Sequence, residues 1–109
     1  MRLLPPTIQQ YLVPRRRGPE LMGQWFTPDA YVVDRGRLFK GLDSLVAWQM
    51  ELDALFPDRV LEPLKCTRSR GGNDYYIRMR ITGEFPGTGM RLGYRFRMRE
   101  DRIAMLEIA

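Results

Sequence analysis

The sequence predicts an α+β fold, in which N-terminal helices pack on one face of a curved, mostly antiparallel sheet. Apolar residues repeat with helical spacing as far as Pro57 and with the strand period of two after it. Turn segments at residues 71–74, 86–89 and 99–102 divide the C-terminal half into consecutive strands, as in an antiparallel meander. The chain of 109 residues is long enough for one domain, residues 1–109, with one hydrophobic core.

Three helices are predicted ahead of the meander. The first, Thr7–Leu12, follows two prolines, and the second begins at Pro19, because the first turn of a helix does not need the N–H group that proline lacks. The third, residues 42–56, has the clearest pattern, and Pro57 ends it. Its apolar side chains recur at i, i+3, i+7, i+10 and i+11, so we expect one stripe to face the sheet. That stripe consists of Leu45, Trp48, Leu52, Leu55 and Phe56.

The predicted strands differ in the composition of their two faces. A short strand, residues 30–34, ends at a turn. Residues 59–70 form a possible strand, in which Pro63 indicates an edge or a bulge. The two long strands of the meander alternate arginine with apolar residues, so one of their faces is polar. The last strand, residues 103–108, is apolar on both faces except for Glu107, which indicates a central strand or a dimer contact.

Residue content limits the chemistry. The chain has no histidine, which excludes His-based triads, His general bases and nearly all zinc sites. Its single cysteine, Cys66, excludes an intramolecular disulfide and a cysteine-cluster metal site. Any catalysis must therefore use Asp, Glu, Tyr, Arg or Lys, and no cofactor is predicted.

The chain is basic, with a net charge of +5 and a pI near 9.9. Much of this charge is arginine at alternate strand positions, which is typical of a polar sheet face, and the densest basic run, Arg15–Arg17, is only three residues long. We therefore do not expect a nucleic-acid partner. No apolar run approaches the roughly 20 residues of a membrane helix, so we expect no membrane partner and a cytoplasmic location.

Asp34 is the most informative single residue. Strand side chains alternate, so Ala30, Val32 and Asp34 share one face. If that face is buried, Asp34 is an acid in an apolar wall and a candidate base. Alternatively, Asp34 caps the turn that it begins by accepting bonds from backbone N–H groups. The two alternatives differ in whether the carboxylate faces a cavity or is saturated by the backbone, Arg35 or Arg37.

Nearly the whole chain resembles the SnoaL-like branch of the nuclear-transport-factor-2-like superfamily. The resemblance rests on the order of two helices, an F-x-x-D-A strand, the helix G-L-D-S-L-V-A-W and, most specifically, the segment GEFPGTGMRLGYRFRMREDRIAMLEI. It implies a cone-shaped roll, in which a strongly curved sheet wraps around the helices and leaves an apolar pocket at one end. Members often dimerise through the outer sheet face. The fold hosts enzymes and non-enzymatic binders, so it does not determine function by itself.

Ketosteroid isomerase shares this fold, and the resemblance to it implies catalytic roles for two residues. Asp34 falls where the isomerase has its base, and Tyr11, in a Q-x-Y context, falls where it has a tyrosine that donates to the developing oxyanion. The second oxyanion donor of the isomerase, a protonated Asp, has no counterpart in the segment 91–94, so it is missing or replaced by Tyr94. This departure argues against steroid isomerisation. The absence of histidine excludes the His–Asp mechanism of polyketide cyclases.

Two functions follow from these observations. The first is an isomerase or lyase that transfers a proton on an apolar carbonyl-type substrate, with Asp34 as base and Tyr11 as donor. The second is a non-catalytic domain that binds a ligand or dimerises. In either case we expect a small apolar or aromatic ligand and a homodimer. The residues expected to line the pocket are Trp25, Val32, Trp48, Met79, Tyr94 and Glu107.

Overall fold

The computed structural model describes residues 4–13 and 19–109, and the basic run Arg15–Arg17 lies outside them. The three predicted helices are present. They are α1 (Pro6–Leu12), α2 (Pro19–Trp25) and α3 (Leu42–Leu55). None of the helices in the described part of the chain is long and apolar enough to cross a membrane.

Six strands form one sheet in the order β2-β1-β6-β5-β4-β3. They are β1 (Phe26–Asp34), β2 (Arg37–Lys40), β3 (Val60–Arg68), β4 (Asp74–Thr82), β5 (Met90–Arg99) and β6 (Arg102–Ile108). Every neighbouring pair is antiparallel except β1 and β6, which run parallel. The predicted α+β fold with a mostly antiparallel sheet is therefore confirmed. The parallel pair places the ends of β1 and β6 side by side, with Asp34 in register with Ile108.

The residue composition of β6 and β3 accounts for their places in the sheet. The last strand, β6, lies between β1 and β5, in agreement with its apolar composition on both faces. The edge strand β3 has a register shift between Pro63 and Lys65, since proline cannot donate to the ladder. The strand begins at Val60 rather than at Arg59, which instead lies next to the end of α3.

The helices pack on the inner face of the sheet. On β1, Ala30, Val32 and Asp34 are all buried, so the acid does lie on the core-facing side of its strand. Helix α3 buries Leu45 and Trp48 against this face. Two positions of α3 differ from the predicted stripe, because the side chain of Leu55 is 61% exposed while Gln49 is buried. At 3.6 residues per turn, Leu55 lies about 70° from the centre of the buried face, farther than Gln49 does.

Candidate functional site

A small cavity lies where β1 and β6 end, next to the C-terminal turn of α3. Its volume is about 50 Å³, and its wall is mostly apolar. Asp34 is the one carboxylate among the described residues that line it. The lining residues are Asp34, Arg35, Leu52, Phe56, Arg59, Ile81, Phe85, Met90, Leu92, Tyr94 and Ile108.

The carboxylate of Asp34 has a different donor on each oxygen. The indole Nε1 of Trp48 donates to Oδ2 at 3.0 Å, and this bond is buried. The guanidinium Nε of Arg35 donates to Oδ1 at 3.0 Å, from a side chain that is 55% exposed. The Trp48 bond is therefore fixed by the core. The Arg35 bond lies at the solvent boundary, where an ion pair contributes little to stability.

The backbone N–H groups of the turn after Asp34 do not bind its carboxylate. Arg35 and Gly36 both have positive φ, 49° and 88°, as a two-residue type I′ hairpin turn requires between the paired residues Asp34 and Arg37. The N–H group of Arg35 donates to the carbonyl of Ile108 at 2.8 Å. No backbone N–H group of the described residues donates to the Asp34 carboxylate. The geometry thus lacks the backbone bonds of the turn-cap alternative, while the ion pair with Arg35 is a contact that this alternative also includes.

Tyr94 lines the same cavity from the other side of β6. Ile108 is in register with Asp34 on β1 and with Tyr94 on β5. Because neighbouring strands lie about 4.8 Å apart, the Cα atoms of Asp34 and Tyr94 are roughly 10 Å apart across Ile108. A carboxylate and a phenol therefore flank an isoleucine on the cavity wall.

Arg59 also lines the cavity and is buried. Its Nη1 donates to the carbonyls of Leu52 and Phe56, at 3.3 and 3.2 Å, and its Nη2 lies 2.9 Å from Oδ1 of Asp53. These carbonyls lie at the end of α3, where the helix dipole favours a cation, and each also accepts a backbone N–H group. The guanidinium group is therefore a helix C-terminal partner, with three acceptors around it.

A chain of polar contacts connects Tyr11 to this cluster. The Tyr11 hydroxyl donates to Oε1 of Gln49 at 2.8 Å, and Nε2 of Gln49 donates to Oδ1 of Asp53 at 3.0 Å. Tyr11 is buried among the rings of Trp25, Phe26 and Phe96 and is not among the residues that line the cavity. The structure therefore places Tyr11 behind the cavity wall, at the far end of a chain of contacts that reaches Arg59.

The other residues that were expected to line a pocket occupy three kinds of position. Tyr94 lines the cavity, and Trp48 lies directly behind Asp34 through its indole bond. Glu107 pairs with Arg95 at 3.2 Å, a contact between two residues in register on the outer face of the sheet, away from the helices. The remaining three are buried in the core and are not among the cavity-lining residues: Trp25, Val32 and Met79.

Sequence reasoning missed two polar residues of this region. Arg59 follows the end of α3 by a few residues, and a cation in that position often binds the last carbonyls of a helix, so the signal was present. Gln49 had no such signal, because it lies between apolar neighbours in a helix whose stripe was defined by its apolar members. The described residues contain no group of three or more carboxylate or thiol side chains that could hold a metal ion. Burial raises the pKa of the Cys66 thiol, which favours its unreactive protonated form.

No family sequence profile and no curated protein sequence matches the chain. Among solved structures, a candidate polyketide cyclase from Sinorhizobium meliloti is 30% identical, with a TM-score of 0.85 over 97% of this chain and 95% of that chain.

Two further structures share the fold at lower identity. A protein from Catenulispora acidiphila with a ketosteroid isomerase-like fold, solved with trimethylamine, is 19% identical, with a TM-score of 0.78 over 96% of this chain and 85% of that chain. A candidate isomerase of the SnoaL-like family from Agrobacterium tumefaciens is also 19% identical, with a TM-score of 0.77 over 99% and 97% of the two chains. The 30% identity over nearly the full length of both chains extends the likeness to the Sinorhizobium protein beyond the fold. The chain belongs to the SnoaL-like branch of the nuclear-transport-factor-2-like superfamily.

Proposed function

We propose that the protein transfers a proton on a small carbonyl compound, with Asp34 as the base. The observation that carries this proposal is that Asp34 is the one carboxylate among the described lining residues of a mostly apolar cavity. Its carboxylate is buried and is oriented by the Trp48 indole. A positioned carboxylate within reach of a carbon-bound proton is the requirement for general base catalysis.

The step that we propose uses groups on both sides of Ile108. An oxygen of Asp34 removes a proton from the carbon next to the carbonyl, and the electron pair of the broken C–H bond moves to the carbonyl oxygen as an enolate. We assign the stabilisation of that oxygen to the phenol group of Tyr94, which lines the same cavity across Ile108. The acid formed at Asp34 then returns the proton to the same or a neighbouring carbon. Trp48 acts as a positioning residue, since it contacts Asp34 and is not among the cavity-lining residues.

This assignment changes the donor that the family resemblance implies. The Tyr11 hydroxyl donates to Gln49 behind the cavity wall, whereas Tyr94 lines the cavity. We therefore assign the donor role to Tyr94. Tyr11 would then contribute through Gln49 and the cluster around Arg59, by holding the wall in place.

The size of the cavity restricts the substrate. Its volume of about 50 Å³ is well below the roughly 150 Å³ of an engineered cavity that binds benzene. The reacting end of a substrate therefore enters, while the rest lies at the mouth beside the exposed side chain of Arg35. A steroid would not fit inside a cavity of this size.

One observation favours the alternative, a domain that binds a ligand without catalysis. The Arg35 guanidinium group occupies one oxygen of Asp34, so it competes with a substrate for that oxygen. Because this side chain is half exposed, it can leave the carboxylate at little cost. If Asp34 is a base, Arg35→Ala should raise the rate of proton transfer, and if the domain only binds ligands, no variant should show any transfer.

The test is exchange of carbon-bound hydrogen in deuterated water. Acetone, butanone and cyclopentanone are incubated with the protein, and the loss of their proton signals next to the carbonyl is followed by NMR. We expect the wild type to accelerate this exchange and Asp34→Asn to abolish the acceleration. Asp29→Asn is the matched control, because it removes an exposed carboxylate from the same strand. No acceleration by the wild type, or equal acceleration by Asp34→Asn, would overturn the proposal.

We also propose that the protein is a homodimer formed through the outer face of the sheet. The half of that face on β6 and the C-terminal part of β5 supports this, because three of its arginines have acid partners in the same chain: Arg95 with Glu107, Arg97 with Asp74 and Arg99 with Asp29. Two copies can meet there with less charge repulsion than on the half formed by β3 and β4. Light scattering tests the proposal, and a monomeric mass at micromolar concentration would contradict it.

A further inference from the structure

The outer face of the sheet contains two differently charged halves. On β5 and β6, each of three arginines has an acid partner: Arg95 with Glu107, Arg97 with Asp74, and Arg99 with Asp29. On β3, β4 and the beginning of β5, the cations are Lys65, Arg78, Arg80 and Arg91. Among the described residues, no ion pair of 4.0 Å or less joins any of these four to a carboxylate.

Three of these unpaired cations line a single groove. Lys65, Arg78 and Arg91 converge on a concave region with a volume of about 430 Å³. Gly93 is directly opposite Arg78 on the neighbouring strand and has no side chain, so the groove extends down to the backbone there. Small-molecule sites are usually about 300–1,000 Å³, so this groove is large enough for a ligand of several groups.

The cations at and beside the groove repel one another when no anion is bound. Arg80 lies directly opposite Arg91 on the neighbouring strand, and like charges in that position destabilise a sheet. Glu62, in register with Arg80 on β3, is the nearest acid by strand pairing, yet no ion pair forms between them. The other half of the same face pairs three of its arginines within the chain, whereas the cations here are unpaired and would attract an anion.

We propose that this groove binds a small anion carrying two or more carboxylate or phosphate groups. Arg78 and Arg91 contact the anionic groups from adjacent strands, and Lys65 contacts them from β3. Gly93 leaves the depth that such a ligand needs. This site lies on the opposite face of the sheet from Asp34, so it does not depend on the proposed proton transfer.

Isothermal titration with citrate and with pyrophosphate tests the proposal and distinguishes the two chemical classes. We expect one equivalent of at least one of them to bind per chain, with affinity that falls as salt is added. The double variant Arg78→Gln with Arg91→Gln should weaken binding by tenfold or more, on the order of the loss of two charge-assisted contacts. Arg97→Gln is the matched control, since it removes a cation from the same face that already has an acid partner.

A second variant tests the groove without changing its charge. A Cβ atom added at Gly93 would meet only the carbonyl oxygen of Ala109, at 3.7 Å, so Gly93→Val can fold and fill the groove. We expect it to abolish anion binding while thermal melting remains near that of the wild type. The proposal is overturned if neither anion binds, if Arg97→Gln weakens binding as much as the double variant, if Gly93→Val folds and binds normally, or if only a nucleic-acid oligomer binds.

Discussion

Asp34 and Arg59 are both buried, both charged and both in the wall of one cavity, yet their partners differ in kind. Arg59 has three acceptors, two of which are backbone carbonyls at the end of α3. Asp34 has one fixed neutral donor, the Trp48 indole, and one half-exposed donor, Arg35. An ionised carboxylate has about four acceptor sites, so Asp34 retains capacity for a further partner.

By this comparison, Arg59 is a structural ion and Asp34 is a candidate functional one. Removing Arg59 would leave carbonyls and a carboxylate without the cation that binds them, so its contribution should appear mainly in stability. Removing the charge of Asp34 leaves most of its packing intact, so the loss should appear mainly in the rate of proton transfer. The following substitutions test that separation, from the largest expected effect on stability to the smallest.

Arg59→Met should cost the most stability, about 2–3 kcal/mol, because it leaves the end of α3 and Asp53 without their buried partner. The cost stays below that of a fully buried pair, since the side chain of Asp53 is partly exposed. Urea unfolding measures it. Arg37→Met is the control, because Arg37 is exposed and only 4.0 Å from Glu51, so its loss should cost roughly 0.5 kcal/mol or less. Equal costs for the two variants would contradict the structural role of Arg59.

Trp48→Phe should cost about 1–2 kcal/mol, through a smaller ring and the loss of the donor to Asp34. Trp25→Phe is matched to it, because Trp25 is equally buried but makes a longer bond, 3.4 Å from Nε1 to Oε1 of Gln10. The difference between the two free energies of unfolding therefore isolates the bond to the buried carboxylate. If Trp25→Phe proves the more costly, the Trp48 bond does not orient Asp34 in the way described.

Asp34→Asn should cost about 1 kcal/mol or less, since an amide of the same shape can still accept from the Trp48 indole. Asp34→Ala should cost more, up to ~2 kcal/mol, because it leaves the buried indole N–H group without its acceptor. Thermal melts of the two variants measure the difference. A loss for Asp34→Asn as large as that for Arg59→Met would mean that Asp34 is a structural ion like Arg59.

The exposed pair of Asp29 and Arg99 provides a reference in which burial plays no part. Hydrogen bonds to Asp29, first from Arg99 and then from Thr27, lower its pKa to about 2. Since the folded-state pKa is lowered, this pair stabilises the fold above the unfolded pKa, near 4, and that contribution is lost as the pH falls towards 2. Proton-detected NMR titration of the Asp29 carboxyl should show the low midpoint, and Arg99→Gln should raise it. An unchanged midpoint in Arg99→Gln would show that the pair does not form in solution.

Much of the fold could be predicted from the sequence, because it depends on local periodicity. The alternation put Ala30, Val32 and Asp34 on one face, which the structure shows to be buried, and the two-sided apolar composition of residues 103–108 indicated a central strand or a dimer contact, of which the central position is observed. The parallel pairing of β1 with β6 was beyond reach, since strands so far apart in sequence leave no local signal of their relative direction. That pairing is what brings Asp34 beside Ile108 and, across it, Tyr94.

The site could be predicted only in part, for a related physical reason. A carboxylate at the end of an apolar strand is visible in the sequence, whereas its partner Trp48 looks like an ordinary member of the helical stripe. The position of Tyr11 depends on its bond to Gln49, which is 38 residues away. Gln49 is buried although it is polar, so its sequence position did not indicate this contact. Polar contacts over such separations follow from tertiary packing and not from spacing along the chain.

The most direct test of the difference between Asp34 and Arg59 is NMR of the two indole groups during titration with butanone. The chain has two tryptophans, and their Nε1–H signals report on Asp34 through Trp48 and on Gln10 through Trp25. We predict that the ligand shifts the Trp48 signal, leaves the Trp25 signal in place, and has no effect on either in Asp34→Asn. Equal shifts of both signals, or an undiminished Trp48 shift in Asp34→Asn, would show that Asp34 does not meet a ligand in the cavity.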